Sequence, residues 1–480
     1  MGVSRKWGDE PANDMTGWPM PAGGSWMGWV LRLVETGASS PGRSVDVMEV
    51  SRPHDLGDIA NLGLTLPEAK QILARVQQAV VTVQAEEHAV ARPDCSCCGG
   101  GCHIHGWRVR QVATLFGMVA VRLPRFRCVN CCHSETGTSW PSHCRSTPEL
   151  DQLRAHLAAL LPYRVAAGVL THLLPVDGGT NPETLRSHTL KIGEQLRDAP
   201  AVERAVAASS ITVTVDSTFI RSCDNGERHL EVRVGNVETS DGRRQVFGAV
   251  AKTETDIAVL IRRSLETLGR TADTVVAAFT DGCCGLRSIL AAAGITKPPI
   301  ADWFHIAMRL QHAKLAASGL STDTPGRMQA KTVIVAEVER LHWRIWNGKA
   351  RDAQITLDRI RKVMHVFKGE RGHRTSDAPS RKLWHALHAV DAYLRGQSSR
   401  LINYAARYRA GLRVGTSLTE GTANFLVNRR MNKAQQMRWS RHGADLLLQV
   451  RCAVYNGALG TGCSLFETAS TSVAPLAIAA

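Results

Sequence analysis

Residues 211–216 read ITVTVD and residues 275–281 read VVAAFTD. Both runs are apolar and rich in β-branched residues, which is typical of buried strands. Each run ends in an aspartate, so we expect Asp216 and Asp281 at strand ends, where an α/β sheet opens onto a crevice. The pattern around them predicts strands at 229–234 and 245–251 and an amphipathic helix at 256–268. The fold class predicted for this region is α/β.

Two carboxylates at neighbouring strand ends form a suitable site for Mg²⁺ or Mn²⁺, which prefer oxygen ligands. Either aspartate alone is explained as a turn or cap residue, and only the matching pair favours a metal site. Glu420 is the third candidate. Its context, SLTE, is also a capping-box pattern, so capping alone could explain this glutamate. Glu420, Asn424 and Asn428 would form one polar stripe on a regular helix.

Cysteines cluster early in the chain: seven of the 13 lie between Cys95 and Cys132. Two CxxC pairs, separated by 29 residues of β-like sequence, predict a zinc ribbon with ligands Cys95, Cys98, Cys128 and Cys131. Four protein ligands leave no open position, so the Zn²⁺ would be structural. Three extra thiols leave the ligand set open: Cys97, Cys102 and Cys132. Arginines surround the pairs and could hold DNA phosphates: Arg108, Arg110, Arg122, Arg125 and Arg127.

The charge balance favours an anionic partner. The 480 residues include 58 Lys plus Arg against 43 Asp plus Glu, a formal net charge of +15. Nucleic acid is the commonest partner of such a protein, although a merely basic protein has the same balance. No apolar run of about 18 residues predicts a membrane span, and the first residues show no signal core. We therefore expect a cytoplasmic, nucleoid-associated protein.

Changes in composition predict eight segments. These are an irregular or disordered segment at 1–60, a helix at 61–92, the zinc ribbon at 93–146, a helix-turn-helix-like region at 147–205, a catalytic core at 206–303, a helical insertion at 304–400, the rest of the core at 401–460 and a disordered tail at 461–480. Asn181 is the predicted N-cap of the last helix in the helix-turn-helix region. That helix would present Arg186 and Lys191 to DNA, or it is part of an ordinary helical linker.

A basic segment closes the sequence. Residues 401–451 contain nine Lys or Arg and two acidic residues. Clustered cations around Trp439 suit a nucleic-acid backbone, whereas a solvated basic helix face is the plainer interpretation. The residues predicted to contact DNA here are Arg429, Arg430, Lys433, Arg438 and Arg441.

Four stretches together resemble a known family. In order they are VTVDSTFI, FTDGCCGLR, ADWFHI and SLTEGTANFLVNRRMNKAQQMRWSRHGADLLLQVR. The sequence resembles the DDE transposases of bacterial insertion sequences, ISKra-type group, from about residue 66 to 457. The resemblance implies an RNase H-like catalytic domain with a helical insertion. It also implies that Asp216, Asp281 and Glu420 bind the catalytic Mg²⁺ or Mn²⁺.

The implied function is metal-dependent cleavage at the ends of an insertion sequence, followed by strand transfer of the 3′-hydroxyl to target DNA. The implied partners are terminal inverted repeats and target DNA, bound by a homodimer or higher oligomer. The alternatives are a non-catalytic zinc-ribbon regulator, a nuclease that cuts without joining, and a decayed, inactive transposase. The resemblance assigns no role to Asp302, Trp303 or His305. It excludes the first 60 residues, and the first cysteine pair reads CSCC where the family has Cys-Pro-x-Cys.

Overall fold

The computed structural model describes residues 26–35, 44–54, 56–136, 138, 140, 144–199, 206–252, 256–280, 284–368, 378–397, 400–432 and 437–459. The chain divides into two compact units, Met1–Leu150 with Val169–Thr180 and Asp151–Gly168 with Asn181–Ala480. The described residues form a mixed α/β structure with thirteen α-helices and three sheets. The α/β prediction is confirmed at this level. None of these helices is long and apolar enough to cross a bilayer.

The first unit contains an antiparallel hairpin of β1 (Trp26–Val34) and β2 (Ser44–Pro53). The prediction of an irregular segment over residues 1–60 is therefore wrong for this part. The sequence of this hairpin does not alternate between apolar and polar residues as a half-buried strand would. The reason is that β1 is exposed along most of its length and that β2 buries Val47 and Val50, which are three residues apart. Residues 1–25 and the predicted tail at 461–480 lie outside the described residues.

Helix α1 (Leu66–Val90) follows, and it begins at a capping box formed by Thr65 and Glu68. It packs on a three-stranded antiparallel sheet whose strands are β3 (Cys102–Thr114), β4 (Gly117–Cys128) and β5 (Ser134–Glu135). Gly117, with φ of 111°, makes the turn between β3 and β4, a conformation that favours glycine. Alternate residues of β4 are buried against Ala85 of α1: Val119, Val121 and Leu123.

Three helices come next: α2 (Pro148–Leu160), α3 (Tyr163–Leu173) and α4 (Pro182–Asp198). Asn181 is the N-cap of α4, as the sequence predicts, since its side chain accepts the Thr184 N–H at 2.7 Å. The helices of this region are therefore present. Its role in reading DNA stays a prediction.

The second unit is built on a five-stranded sheet of order β10-β9-β6-β7-β8. The strands are β6 (Ser210–Arg221), β7 (His229–Thr239), β8 (Arg244–Val250), β9 (Val275–Thr280) and β10 (Ile300–Ala301). β6, β7 and β8 are antiparallel neighbours. β9 runs parallel to β6, and β10 runs parallel to β9. Helices α5 (Ile257–Thr267) and α6 (Cys284–Ala292) bury apolar side chains against β6 and β9.

A long helical segment separates β10 from the end of the unit. Its helices are α7 (Trp303–Ser318), α8 (Pro325–Trp346), α9 (Ala350–Val363), α10 (Pro379–Gln397) and α11 (Tyr404–Arg409). They enclose their own apolar core, which includes Leu310, Leu341 and Leu387. The helical character predicted for 304–400 therefore holds over its described residues.

The chain then returns to the sheet. Helix α12 (Ser417–Ala423) continues into a π-helix at Asn424–Asn432, and helix α13 (Arg441–Tyr455) completes the unit. α4 packs on α13 so closely that a Cβ on Gly193 would lie 2.5 Å from the Leu446 carbonyl oxygen. Side chains of α13 and its C-cap bond the backbone of the edge strand β8, in the pairs Asp445–Val250, Gln449–Gly248 and Asn456–Val246.

Candidate functional site: a cysteine centre and a carboxylate site

Four cysteines of the first unit converge. The sulfur atoms of Cys95, Cys98, Cys128 and Cys131 all lie within 4.8 Å of one another, and three of the pairs are 3.5 Å apart. Tetrahedral thiolate coordination with bonds of about 2.3 Å needs this spacing. The four cysteines could therefore hold a zinc ion. The structure also selects among the seven candidates, because Cys97, Cys102 and Cys132 are not in the group.

The backbone around the cysteines explains why this cluster forms. Gly99 adopts φ of 68°, a conformation that favours glycine, and a Cβ on Gly100 would lie 2.5 Å from the side-chain nitrogen Nδ2 of Asn130. The first turn therefore folds back closely against the second cysteine pair. The pKa of the Cys128 thiol is lowered to about 6, chiefly because the backbone N–H of Cys131 donates to its sulfur. The N–H of Asn130 also donates to this sulfur, at 3.3 Å. Backbone donors thus favour the thiolate that binds metal.

Asp216 lies on the central strand of the second unit's sheet. The prediction that the strand ends at Asp216 is wrong, because pairing with β7 carries β6 on to Arg221 and sets Asp216 opposite Val234. Pairing with β9 stops earlier, at Thr214. Asp216 therefore lies just beyond the parallel part of the sheet, which is where the crevice was expected.

Four buried polar side chains dock α12 on this sheet. Thr214 and Thr419 share a hydrogen bond of 2.5 Å between their hydroxyl oxygens. The Asn236 amide donates to Thr419 at 3.3 Å and to Thr422 at 2.9 Å. Thr214 lies two residues before Asp216 on the same face of β6, and Thr419 directly precedes Glu420. The hydroxyl pair therefore brings Glu420 towards Asp216.

A second contact fixes the start of α12. The Asp302 carboxylate is fully buried and accepts three hydrogen bonds. The backbone N–H groups of Phe304 and Thr416 donate to it at 3.0 and 2.8 Å, and the Thr416 hydroxyl also donates. The Asp302 N–H donates to the carbonyl of Thr280, the last residue of β9, at 3.2 Å. Asp302 therefore joins the end of β9, the start of α7 and the start of α12.

Glu420 is not a capping residue. The N-cap of α12 is Thr416, whose side chain makes no cap bond and donates to Asp302 instead. The pKa of Glu420 is raised, first by burial and then by the nearby Asp216 carboxylate. Asp302 acts in the same direction, and His305 opposes it. Asp216 and Glu420 thus interact electrostatically across a long separation in sequence.

Asp281, the third predicted ligand, lies outside the described residues. It follows Thr280, whose carbonyl is fixed by Asp302. Of the neighbouring residues, His305 has Nε2 3.7 Å from Asp302 Oδ2 and so faces the same region. Trp303 instead packs among aromatic rings of the helical segment, with its ring centre 4.6 Å from Trp346 and 5.2 Å from Tyr404.

The polar stripe of Glu420, Asn424 and Asn428 does not continue as predicted. The helix changes to π geometry at Asn424, so residues four apart no longer share a regular α-helical face. Arg451 of α13 donates to two carbonyls of this π-helix, those of Phe425 and Leu426. Burial lowers the pKa of Arg451 to about 10. Its role here is to bond the widened helix, which the sequence did not reveal.

The basic segment is less exposed than predicted. Arg430 is buried: it donates to the Ala158 carbonyl at 3.1 Å and lies over the rings of Tyr163 and Trp439. Trp439 is buried too and donates to the Met431 carbonyl. Arg441 pairs with Glu227 and donates to the Ala251 carbonyl. The prediction of DNA contact is therefore wrong for Arg430, and Trp439 offers no stacking surface.

Other predicted DNA contacts remain available. Arg429 and Arg438 are exposed, whereas Lys433 lies outside the described residues. On α4, Lys191 is exposed and Arg186 pairs with Glu183 at 2.7 Å on the surface. A surface pair of this kind is weak and can exchange for a phosphate.

The family of this chain is not shown by comparison with known proteins. No family model matches the chain, and no curated protein matches its sequence.

Proposed function

We propose that the protein is a DDE-type DNA transposase that holds its catalytic cations with Asp216, Asp281 and Glu420. One observation carries the proposal. In the sequence Asp216 precedes the long helical segment and Glu420 follows it, yet the Asp216 carboxylate lies close enough to raise the pKa of Glu420. A cap or surface glutamate needs no such neighbour, whereas a metal site built from carboxylates does.

The sheet supports an RNase H-like core. Its first three strands are antiparallel neighbours, and the next two are added in parallel on the other side of β6. The family resemblance implies three acidic metal ligands and a helical insertion between the second aspartate and the glutamate. Asp216 lies in β6 and Thr280 ends β9. Glu420 lies in α12, after the long helical segment of α7 to α11.

The donor set suits Mg²⁺ or Mn²⁺. Carboxylates that converge repel each other, and a divalent cation between them removes that repulsion. Burial raises the pKa of Glu420 most, and repulsion by the Asp216 carboxylate raises it further. When bound, the cations supply Lewis-acid stabilisation and activation of the attacking oxygen in phosphoryl transfer.

The chain's own groups keep the acids in place. Pairing with β7 fixes the backbone of Asp216, and Asp302 and Thr419 fix both ends of the turn that carries Glu420. Rigid placement matters because catalysis of this kind depends on positioning and electrostatics. Neither strand cleavage nor strand transfer requires a serine or tyrosine nucleophile.

The decisive experiment uses the full-length protein with Mg²⁺ and a plasmid that carries its gene and flanking DNA. Strand cleavage and strand transfer are measured for the unmodified protein and for Asp216→Asn, Asp281→Asn and Glu420→Gln. We expect each change to lower both activities by more than the roughly 10–100-fold typical of a residue that only supports a ligand. Glu266→Gln, an exposed change on α5, is the matched control and should leave both unchanged.

Each failure has its own meaning. Full strand transfer by Glu420→Gln would remove Glu420 from the site. Cleavage without joining by the unmodified protein would indicate a nuclease. DNA binding without cleavage, with either cation, would favour a regulator or a decayed element.

A further inference from the structure

The hairpin of β1 and β2 has one edge strand that lacks the usual features of a protected edge. β1 reads WMGWVLRLV, nine residues without a proline, a lysine or an acidic side chain. Its partner β2 contains Asp46, Glu49 and Pro53, which are residue types that discourage further pairing at an edge. The one charged residue of β1, Arg32, pairs with Asp46 at 2.5 Å. An apolar edge of this length favours pairing with another strand.

The outer edge of β1 is open. Among the described residues, every backbone hydrogen bond that reaches β1 from another element comes from β2. Helix α1 bonds β2 instead, because Arg75 donates to the Val47 carbonyl at 2.8 Å and Glu68 pairs with Arg52. The sheet has only these two strands, and a two-stranded sheet is marginally stable in water. A further strand beside β1 would bond its open edge and stabilise the hairpin.

Exposed apolar side chains lie on both faces of β1. Residues directly opposite each other in an antiparallel pair share a face, so Trp29 shares the face of Val50, and Val30 shares the face of Glu49. Trp29 is 48% exposed and Val30 is 56% exposed. A strand added beside β1 would therefore cover apolar surface on both faces of the sheet.

The strand fits a second copy of itself. An antiparallel pair of β1 strands centred on Val30 overlaps all nine residues and relates the two copies by a two-fold axis. In this register Arg32 of each copy lies opposite Gly28 of the other, on the same face as Val30. A Cβ on Gly28 would lie 3.7 Å from Glu49 Oε1, so the Glu49 carboxylate lies beside this glycine. Each Arg32 therefore comes close to Glu49 of the other copy, and the charges match.

We propose that β1 pairs antiparallel with β1 of a second copy, so that two hairpins form one four-stranded sheet of order β2-β1-β1-β2. Alternate residue pairs would each exchange two backbone hydrogen bonds. Two contacts between Arg32 and Glu49, one on each side of Val30, would fix the register. This proposal goes beyond the proposed function and does not depend on it, because it requires neither the carboxylate site nor DNA.

The first test measures self-association of the full-length protein without DNA, by sedimentation over a range of concentrations. Val30→Lys places two like charges at the two-fold axis and should weaken self-association at least about tenfold. Val109→Lys is the matched control, because Val109 is 60% exposed and lies on β3 of the same unit. It should associate like the unmodified protein. Equal circular dichroism and equal zinc content show that both variants remain folded.

The second test uses two charge reversals, Arg32→Glu and Glu49→Arg. Alone, each variant brings like charges together at both contacts, so each should associate at least about tenfold more weakly than the unmodified protein. An equal mixture should recover the affinity, because a mixed dimer pairs the introduced glutamate with the introduced arginine and Arg32 with Glu49. Loss of folding in either variant could not produce this recovery.

Three results would overturn the proposal. They are an unmodified protein that stays monomeric at its highest soluble concentration, a Val30→Lys variant that associates as tightly as Val109→Lys, and a mixture that associates no more tightly than its two components. The first result would leave the edge of β1 to a strand of a different protein.

Discussion

The side chains around Glu420 control how readily it gives up its proton. Burial and the Asp216 carboxylate raise its pKa, so the folded protein binds a proton at Glu420 more tightly than the unfolded chain does. An acid with a raised pKa stabilises the fold fully at low pH. That contribution is lost as pH rises through the folded pKa. At neutral pH without divalent cations, ionised Glu420 should therefore oppose folding.

We predict that Glu420→Gln melts at a higher temperature than the unmodified protein at neutral pH in magnesium-free buffer. The difference should vanish as pH falls below the ordinary glutamate pKa of about 4.3, where both side chains are neutral. Added Mg²⁺ should raise the melting temperature of the unmodified protein only. Calorimetry across pH measures this, with Glu266→Gln as the exposed control. Identical melting curves at every pH would mean that Glu420 does not face Asp216.

Individual arginines show what the sequence could not reveal. Residue type predicted a basic surface, but Arg430 lies between two aromatic rings and Arg451 bonds a π-helix. A guanidinium on a long apolar stem can serve either purpose. Only the packing of distant elements decides which, and that packing leaves no local pattern in the chain.

Helix α12 depends on two connections, one at each end of its first turn. Asp302 holds Thr416, and Thr214 with Asn236 holds Thr419. The helix spans only 7 residues, too few to be stable alone. The position of Glu420 therefore depends on side chains from β6, β7 and the start of α7.

We predict that Asp302→Ala destabilises the protein by roughly 2–4 kcal/mol, because it leaves two backbone N–H groups, one of them buried, and a buried hydroxyl without their acceptor. It should also lower the rate of cleavage at saturating DNA while leaving DNA affinity unchanged. Thr416→Ser, which keeps the hydroxyl, should retain the rate.

Asp256→Ala provides the matched control, since Asp256 caps α5 through the Ala258 N–H but has no bond to α12. It should cost about 1 kcal/mol of stability and leave the cleavage rate unchanged. If both alanine variants slow cleavage equally, Asp302 acts only through overall stability.

Helices and strands with strong local patterns were predictable. The apolar runs before Asp216 and Asp281 predicted β6 and β9, and Asn181 predicted the start of α4. Features that depend on tertiary pairing were not. β6 extends past Asp216 because β7 pairs with it. The SLTE pattern is no capping box because Ser417 already lies inside the helix; the N-cap is Thr416, whose backbone N–H and hydroxyl donate to Asp302. Both differences arise from contacts distant in sequence.

For the molecule as a whole, we expect zinc bound by the four-cysteine group to stabilise the fold of the first unit. We predict about one tightly bound zinc per chain. Cys98→Ser and Cys128→Ser should lose it and unfold this unit, because structural zinc contributes roughly 10–16 kcal/mol of binding free energy. Cys97→Ser, an exposed thiol outside the group, should keep the zinc. Metal analysis with limited proteolysis measures both effects, and a folded, zinc-free unmodified protein would contradict the prediction.

The bonds between α13 and β8 have a consequence for how the protein is made. On the ribosome, Gly248 emerges 201 residues before Gln449, the residue that covers its carbonyl. At about 5–20 residues per second, the edge of β8 waits roughly 10–40 s for its cover. During that time an apolar strand edge is open to pairing with another nascent chain. Slow translation or early termination after β8 should therefore promote aggregation during synthesis.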